Sequence, residues 1–280
     1  MKLSVMLFPF HKEFSDKTLP LKRFMEEMKK AGVRALEPMM SWVESAPERW
    51  AELRRVAADC GMKYSCYDIG VNFVGESATD RVKAIDTVAR GVELCVDLRC
   101  PVALLPGTRP APNMSNEEGR KIYSEGLAKA AERTKGSGVT LTIEDFGVYP
   151  HFACSAAHCI HVLDGTKRTD VKFTFDNGNF LLADDLPADC WKRLGDHSVH
   201  VHIKDFALRA PDDKPSLTSP SGRKYKGGEI GAGEAQVKEC LALIKRSAYN
   251  GWLSLEVGTQ PPLDSAIQGA KFVTETWEKV

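Results

Sequence analysis

Residues 171–205 read VKFTFDNGNFLLADDLPADCWKRLGDHSVHVHIKD, and the fold follows from how this stretch alternates. VKFTFD (171–176) and SVHVHI (198–203) are short β-rich runs, and residues 186–195 between them carry apolar side chains at three- and four-residue spacing. This is one strand–helix–strand unit. The same alternation continues in both directions, with strands expected near 2–7, 33–38, 62–67, 101–105, 139–144, 171–176, 198–203 and 252–257. Helices are expected near 18–31, 47–60, 79–97, 115–136, 154–164, 186–195, 234–247 and 264–278. Gly32, Gly61 and Gly138 stand just past helical patterns, where a left-handed residue commonly ends a helix.

Eight such units favour parallel pairing with right-handed crossovers, and closing the sheet removes both of its edges. The expected fold is therefore a single-domain (β/α)8 TIM barrel over residues 1–280, with an open doubly wound sheet as the alternative. One connection, 206–233 after the seventh strand, is unusually long and rich in Pro, Gly, Ser and basic residues such as Arg209, Lys214, Arg223, Lys224 and Lys226. Loops of that length are often functional, so a lid, an oligomer contact or a surface excursion are the readings to separate.

Composition narrows the partners. The chain has 38 Lys and Arg against 38 Asp and Glu, which offers no general attraction for a polyanion, and nucleic acid is not an expected partner. MKLSVMLFPF at the start reads as a first strand rather than a signal segment, and no long apolar run calls for a membrane, so a cytoplasmic protein is expected. The eight cysteines are scattered without a CxxC pair, as reduced buried thiols would be, and Cys154 with Cys159 is a weak candidate for zinc or a disulfide.

In a barrel the chemistry is built where strands end at their carboxyl termini. Four polar residues close apolar runs there: Glu144 in LTIED, Asp176 in FTFDNGN, His202 in VHIKD and Glu256 in LSLEV. Alternation lets them converge, because their neighbours Ile143, Phe175, Val201, Ile203, Leu255 and Val257 are apolar, whereas Thr142, Thr174, His200 and Ser254 share the inward register. Three converging carboxylates repel one another, and a divalent cation resolves the conflict. Mixed carboxylate and imidazole donors suit Mn2+, Mg2+, Co2+ or Zn2+, and ligand type alone does not choose among them; Mn2+ is the ion expected first. Glu37 at the end of the second strand, His200 below His202 and Lys204 just beyond it are candidates to face substrate, and Trp42 and Phe10 could furnish an apolar wall.

The order and spacing of IED (143–145), FDNGN (175–179), HVHIKD (200–205), GAGEAQ (231–236) and YNGWLSLEV (249–257) resemble the xylose-isomerase-like barrel superfamily, the sugar phosphate isomerase/epimerase group, over nearly the whole chain. The resemblance implies that Glu144, Asp176, His202 and Glu256 are metal ligands and that Glu144 and Glu256 also transfer protons. It implies a small carbohydrate substrate, isomerised or epimerised through an enediolate, and it is compatible with a homo-oligomer. Several epimerases place a histidine shortly after the strand-six aspartate, whereas Asn177, Gly178 and Asn179 follow Asp176 here. Three other readings compete: a dehydratase or lyase of the same superfamily, a non-catalytic sugar-binding barrel, and an endonuclease acting on damaged DNA. Seven histidines and zero net charge weigh against the last.

Overall fold

Short strands buried along most of their length and amphipathic helices with one buried stripe leave only a layered solution, in which the helices cover the outside of the sheet. A computed structural model of the chain describes residues 1–75, 77–210 and 217–280. Its main sheet contains β1 (Leu3–Met6), β2 (Ala35–Glu37), β3 (Lys63–Tyr64), β4 (Tyr67–Asp68), β5 (Val102–Leu105), β6 (Thr140–Glu144), β7 (Val171–Asp176) and β8 (Ser198–Ile203). A smaller sheet follows, made of β9 (Phe206–Leu208), β10 (Leu217–Thr218) and β11 (Lys224–Gly227), and β12 (Trp252–Leu255) returns to the main sheet.

Strands of the main sheet run in the order β3-β2-β1-β12-β8-β7-β6-β5-β4, with every pairing parallel. Since β3 and β4 are the two halves of one strand, this order closes a (β/α)8 barrel. The run expected at 62–67 breaks at Ser65 and Cys66 because its halves serve different neighbours: Lys63–Tyr64 pairs with β2, and Tyr67–Asp68 pairs with β5.

The helical layer forms for local reasons. In α1 (Leu21–Lys30) the buried residues Leu21, Phe24, Met25 and Met28 recur every three to four positions; each contributes about 1.5–3 kcal/mol by leaving water. Gly32 beyond it has φ +89°, a conformation that strains any residue with a Cβ. In α2 (Pro187–Leu194) the buried face carries Trp191, whose ring meets Phe175 of β7 edge-on at 5.0 Å. Among the described residues no helix is long and apolar enough to cross a membrane. All eight cysteines are free, and Cys154 and Cys159 sit in the core bonded to carbonyl oxygens of Asn179 and Ala153.

The connection 206–233 is a pinned structural unit over its described part. β10, β11 and β9 pair antiparallel, and the Asp205 carboxylate accepts four backbone N–H groups, from Phe206, Gly231, Gly233 and Ala235, at 2.9–3.0 Å. Ser219 and Ser221 bond Asp184 in the loop after β7, and Thr259 after β12 donates to Glu229. The excursion thus ties together two loops at the carboxyl end of the barrel. Lys214 lies outside the described residues.

Candidate metal centre and active site

Inside the barrel the inward positions are unusually polar. Ser4, Thr142, Thr174, His200 and Ser254 form a buried polar layer, with Thr142 and Thr174 hydrogen-bonded at 2.8 Å. Above them, Glu144 and Asp176 end β6 and β7, His202 stands one residue before the end of β8, and Glu256 follows β12; the four adjacent strands bring all four side chains together.

The convergence centres on one atom, His202 Nδ1. It has Glu256 Oε2 at 3.4 Å, Glu144 Oε2 at 3.5 Å and Asp176 Oδ2 at 4.0 Å, yet no hydrogen-bond partner. Donors held about 2.1 Å from one ion stand about 3–3.5 Å apart, so a ring nitrogen with no hydrogen bond amid three carboxylate oxygens at this spacing fits a divalent cation. Glu144, Asp176 and His202 each offer one donor atom within 4.8 Å of the other two.

Several backbone contacts hold this arrangement. Asp176 Oδ1 accepts the N–H groups of Gly178 and Asn179 at 2.8 and 3.1 Å, which leaves Oδ2 to face the centre. Asp176 N donates to the buried carboxylate of Asp145 at 3.1 Å. The Asn177 amide grips the backbone of Lys204 on both sides, accepting from its N–H and donating to its carbonyl, both at 2.9 Å. Lys204 Nζ then lies 2.5 Å from Glu256 Oε1, 3.3 Å from Asn179 Oδ1 and 3.4 Å from Asp176 Oδ2.

Electrostatics divide the carboxylates. Burial pushes Glu144 up to about 7, against the pull of His202, and pushes Asp176 up to about 6, with Lys204 opposing. Burial acts on Glu256 too, but Lys204 and His202 outweigh it and hold this group at about 2. His202 is raised well above the usual imidazole range despite its burial, because Glu37, Glu144 and Glu256 favour its charged form.

Glu37 and His200, expected to face substrate, have no exposed surface. Both carboxylate oxygens of Glu37 are taken by imidazoles, His202 Nε2 at 2.9 Å and His200 Nε2 at 3.0 Å, which places the pair behind the metal-facing edge of His202. Lys204 is the one member of that group that retains exposure. Phe10 is also buried, packed against Phe14 and Phe24 in the core, and does not line a pocket wall. Trp42 does line a cavity of about 180 Å3 with Leu7, Phe8, His11, Met39 and Ser41, where β1 and β2 end.

Five polar residues escape a reading based on strand ends. Asp145 and Asp205 follow the expected ligands in sequence but turn to backbone N–H groups, and Asn177 and Asn179 organise Lys204. Asp68 is buried at the end of β4 with neither oxygen hydrogen-bonded, and burial together with Glu37 raises it well above the carboxylate range. An acid closing an apolar run was the available signal for Asp68; the expected strand stopped one residue short of it.

Comparison with known proteins adds the family. The family described as xylose isomerase-like TIM barrel matches residues 25–276. An inosose dehydratase of Lacticaseibacillus casei is 24% identical over 176 residues, covering 59% of this chain and 57% of that protein. An L-ribulose-5-phosphate 3-epimerase, UlaE of Escherichia coli strain K12, is 23% identical over 218 residues, covering 78% of this chain and 69% of that protein. The matched stretch therefore spans little more than half the length of the inosose dehydratase. Among solved structures, the IolI protein with a binding zinc atom superposes with a TM-score of 0.73 at 18% identity, covering 100% of this chain and 99% of the other.

Proposed function

Because this chain belongs to the xylose isomerase-like TIM barrel family, we propose that it is an enzyme that isomerises or epimerises a small sugar or sugar phosphate, with one divalent metal held by Glu144, Asp176, His202 and Glu256. Mn2+ is the favoured ion, and the zinc in the similar IolI structure supports a divalent site of this kind. Bound there, the ion would polarise a substrate carbonyl and steady the negative charge that develops when the neighbouring carbon loses its proton.

The observation that carries this reading is the placement of Glu144 and Glu256, each within 3.5 Å of the same imidazole nitrogen and flanking Asp176 and His202 around the barrel. Two carboxylates so placed can reach a single substrate carbon, one removing its proton and the other returning one through an enediolate. Before any ion binds, burial raises Glu144 to about 7 while Lys204 and His202 hold Glu256 at about 2, so the two carboxylates sit in electrostatically different surroundings. Lys204 neutralises the carboxylates on one side, and its side chain, 17% exposed, borders the space where a substrate oxygen would sit.

The similarity to an inosose dehydratase supports a second reading, in which the same proton abstraction is followed by loss of hydroxide. Incubation of the Mn2+-loaded protein with a carbohydrate panel in D2O tests both. Solvent deuterium at a carbon of a product of unchanged formula is expected; loss of one water from the product would assign the dehydratase. Absence of exchange and turnover across the panel would favour a non-catalytic sugar-binding barrel.

A further inference from the structure

Resting on the metal reading above, we infer that Glu37 is a positioning residue: by bridging His202 and His200 it fixes the tautomer and ring plane that aim His202 Nδ1 at the metal. A carboxylate only accepts hydrogen bonds, so the ring nitrogens 2.9 and 3.0 Å from Glu37 must carry the protons. With Nε2–H committed to Glu37, Nδ1 is the nitrogen left to give up its proton and offer a lone pair when an ion binds, and it is the one that faces Glu144, Asp176 and Glu256.

His200 makes the carboxylate rigid. A glutamate bonded through one oxygen can still rotate, but a second imidazole on the other oxygen, its ring perpendicular to that of His202 at a centroid distance of 5.3 Å, fixes the carboxylate plane. The backbone is held as well, since the Glu37 carbonyl accepts the Leu7 N–H at 2.8 Å. None of the three side chains has exposed surface in Glu37, His200 or His202, so water does not compete for these bonds. Glu37 touches no reacting group and acts only through His202.

Two measurements on the full chain test this. In metal-free protein labelled with 15N-histidine, His202 should show a slowly exchanging, downfield Nε2–H proton, identified by its loss in H202Q and its persistence in H200Q. In Mn2+ titrations, Glu37→Gln, whose amide presents a donor to one of the two imidazoles, should bind the ion 10–100-fold more weakly than wild type, and Glu37→Asp should fall between. A Glu37→Gln variant with wild-type Mn2+ affinity overturns the positioning role and leaves the metal reading standing. Wild-type protein that binds no Mn2+ overturns the metal reading, and the positioning role with it. Should the Glu37 variants not fold, the wild-type spectrum still decides, because a His202 lacking a protected Nε2–H contradicts the inference.

Discussion

Lys204 Nζ lies 2.5 Å from Glu256 Oε1, so an ammonium is packed directly against one of the four carboxylate and imidazole groups proposed to hold metal. The same nitrogen is 3.4 Å from Asp176, so this one lysine partly offsets the repulsion among the buried acids.

Removing that charge should therefore matter most when no metal is bound. In metal-free Lys204→Met, buried carboxylates lose their cation, and a loss of about 3 kcal/mol or more in unfolding free energy is expected. Mn2+ should recover much of it by supplying the missing charge. Urea unfolding with and without Mn2+ measures both; an equal loss in the two conditions would show that Lys204 contributes packing alone.

Stability of the metal-free protein should fall as pH rises from about 4.5 through about 7. Glu144 and Asp176 titrate near 7 and 6 in the native chain, against about 4 for unfolded carboxyls. Within that window the native state holds more protons than the unfolded state, so these two groups make unfolding easier as pH increases. Glu256 and Glu37 are held below their unfolded values and act in the opposite sense, their stability being lost only as pH falls below about 4. Since metal binds the deprotonated ligands, the rise in Tm on adding Mn2+ should be larger at pH 8 than at pH 6. Calorimetry at the two pH values is the check, and a gain independent of pH would contradict the proposed ligand set.

Asp205→Asn should loosen the excursion after β8. The carboxylate takes two N–H donors on each oxygen, and an amide would turn its own N–H groups toward two of them. A loss of about 2–4 kcal/mol is expected, with faster hydrogen exchange concentrated in residues 206–208 and 224–235. Exchange that rises uniformly over the barrel would mean that Asp205 supports the whole fold rather than this unit.

Much of this was legible in the sequence because strand alternation and strand ends are local properties. The strands 171–176 and 198–203 match their expected limits, and the inward register that selects Asp176, His202 and Thr174 is the observed one. Alternation gives the direction of a side chain but not what covers it. His200 and Glu37 point inward as read, yet the buried bridge between Glu37 and the two histidines depends on pairing across the barrel between positions 163 and 165 residues apart. The excursion hid its small sheet for a different reason: β11, KYKG, buries only Tyr225 and so shows no apolar run. Its organiser, Asp205, looks in sequence like one more acid beside the site.

Anomalous diffraction from crystals grown with Mn2+ measures the arrangement on which everything else depends. The expected result is one strong peak bonded to His202 Nδ1 and to carboxylate oxygens of Glu144, Asp176 and Glu256. A peak elsewhere in the barrel, or a fully loaded crystal with no peak among these four residues, would contradict the proposed metal centre.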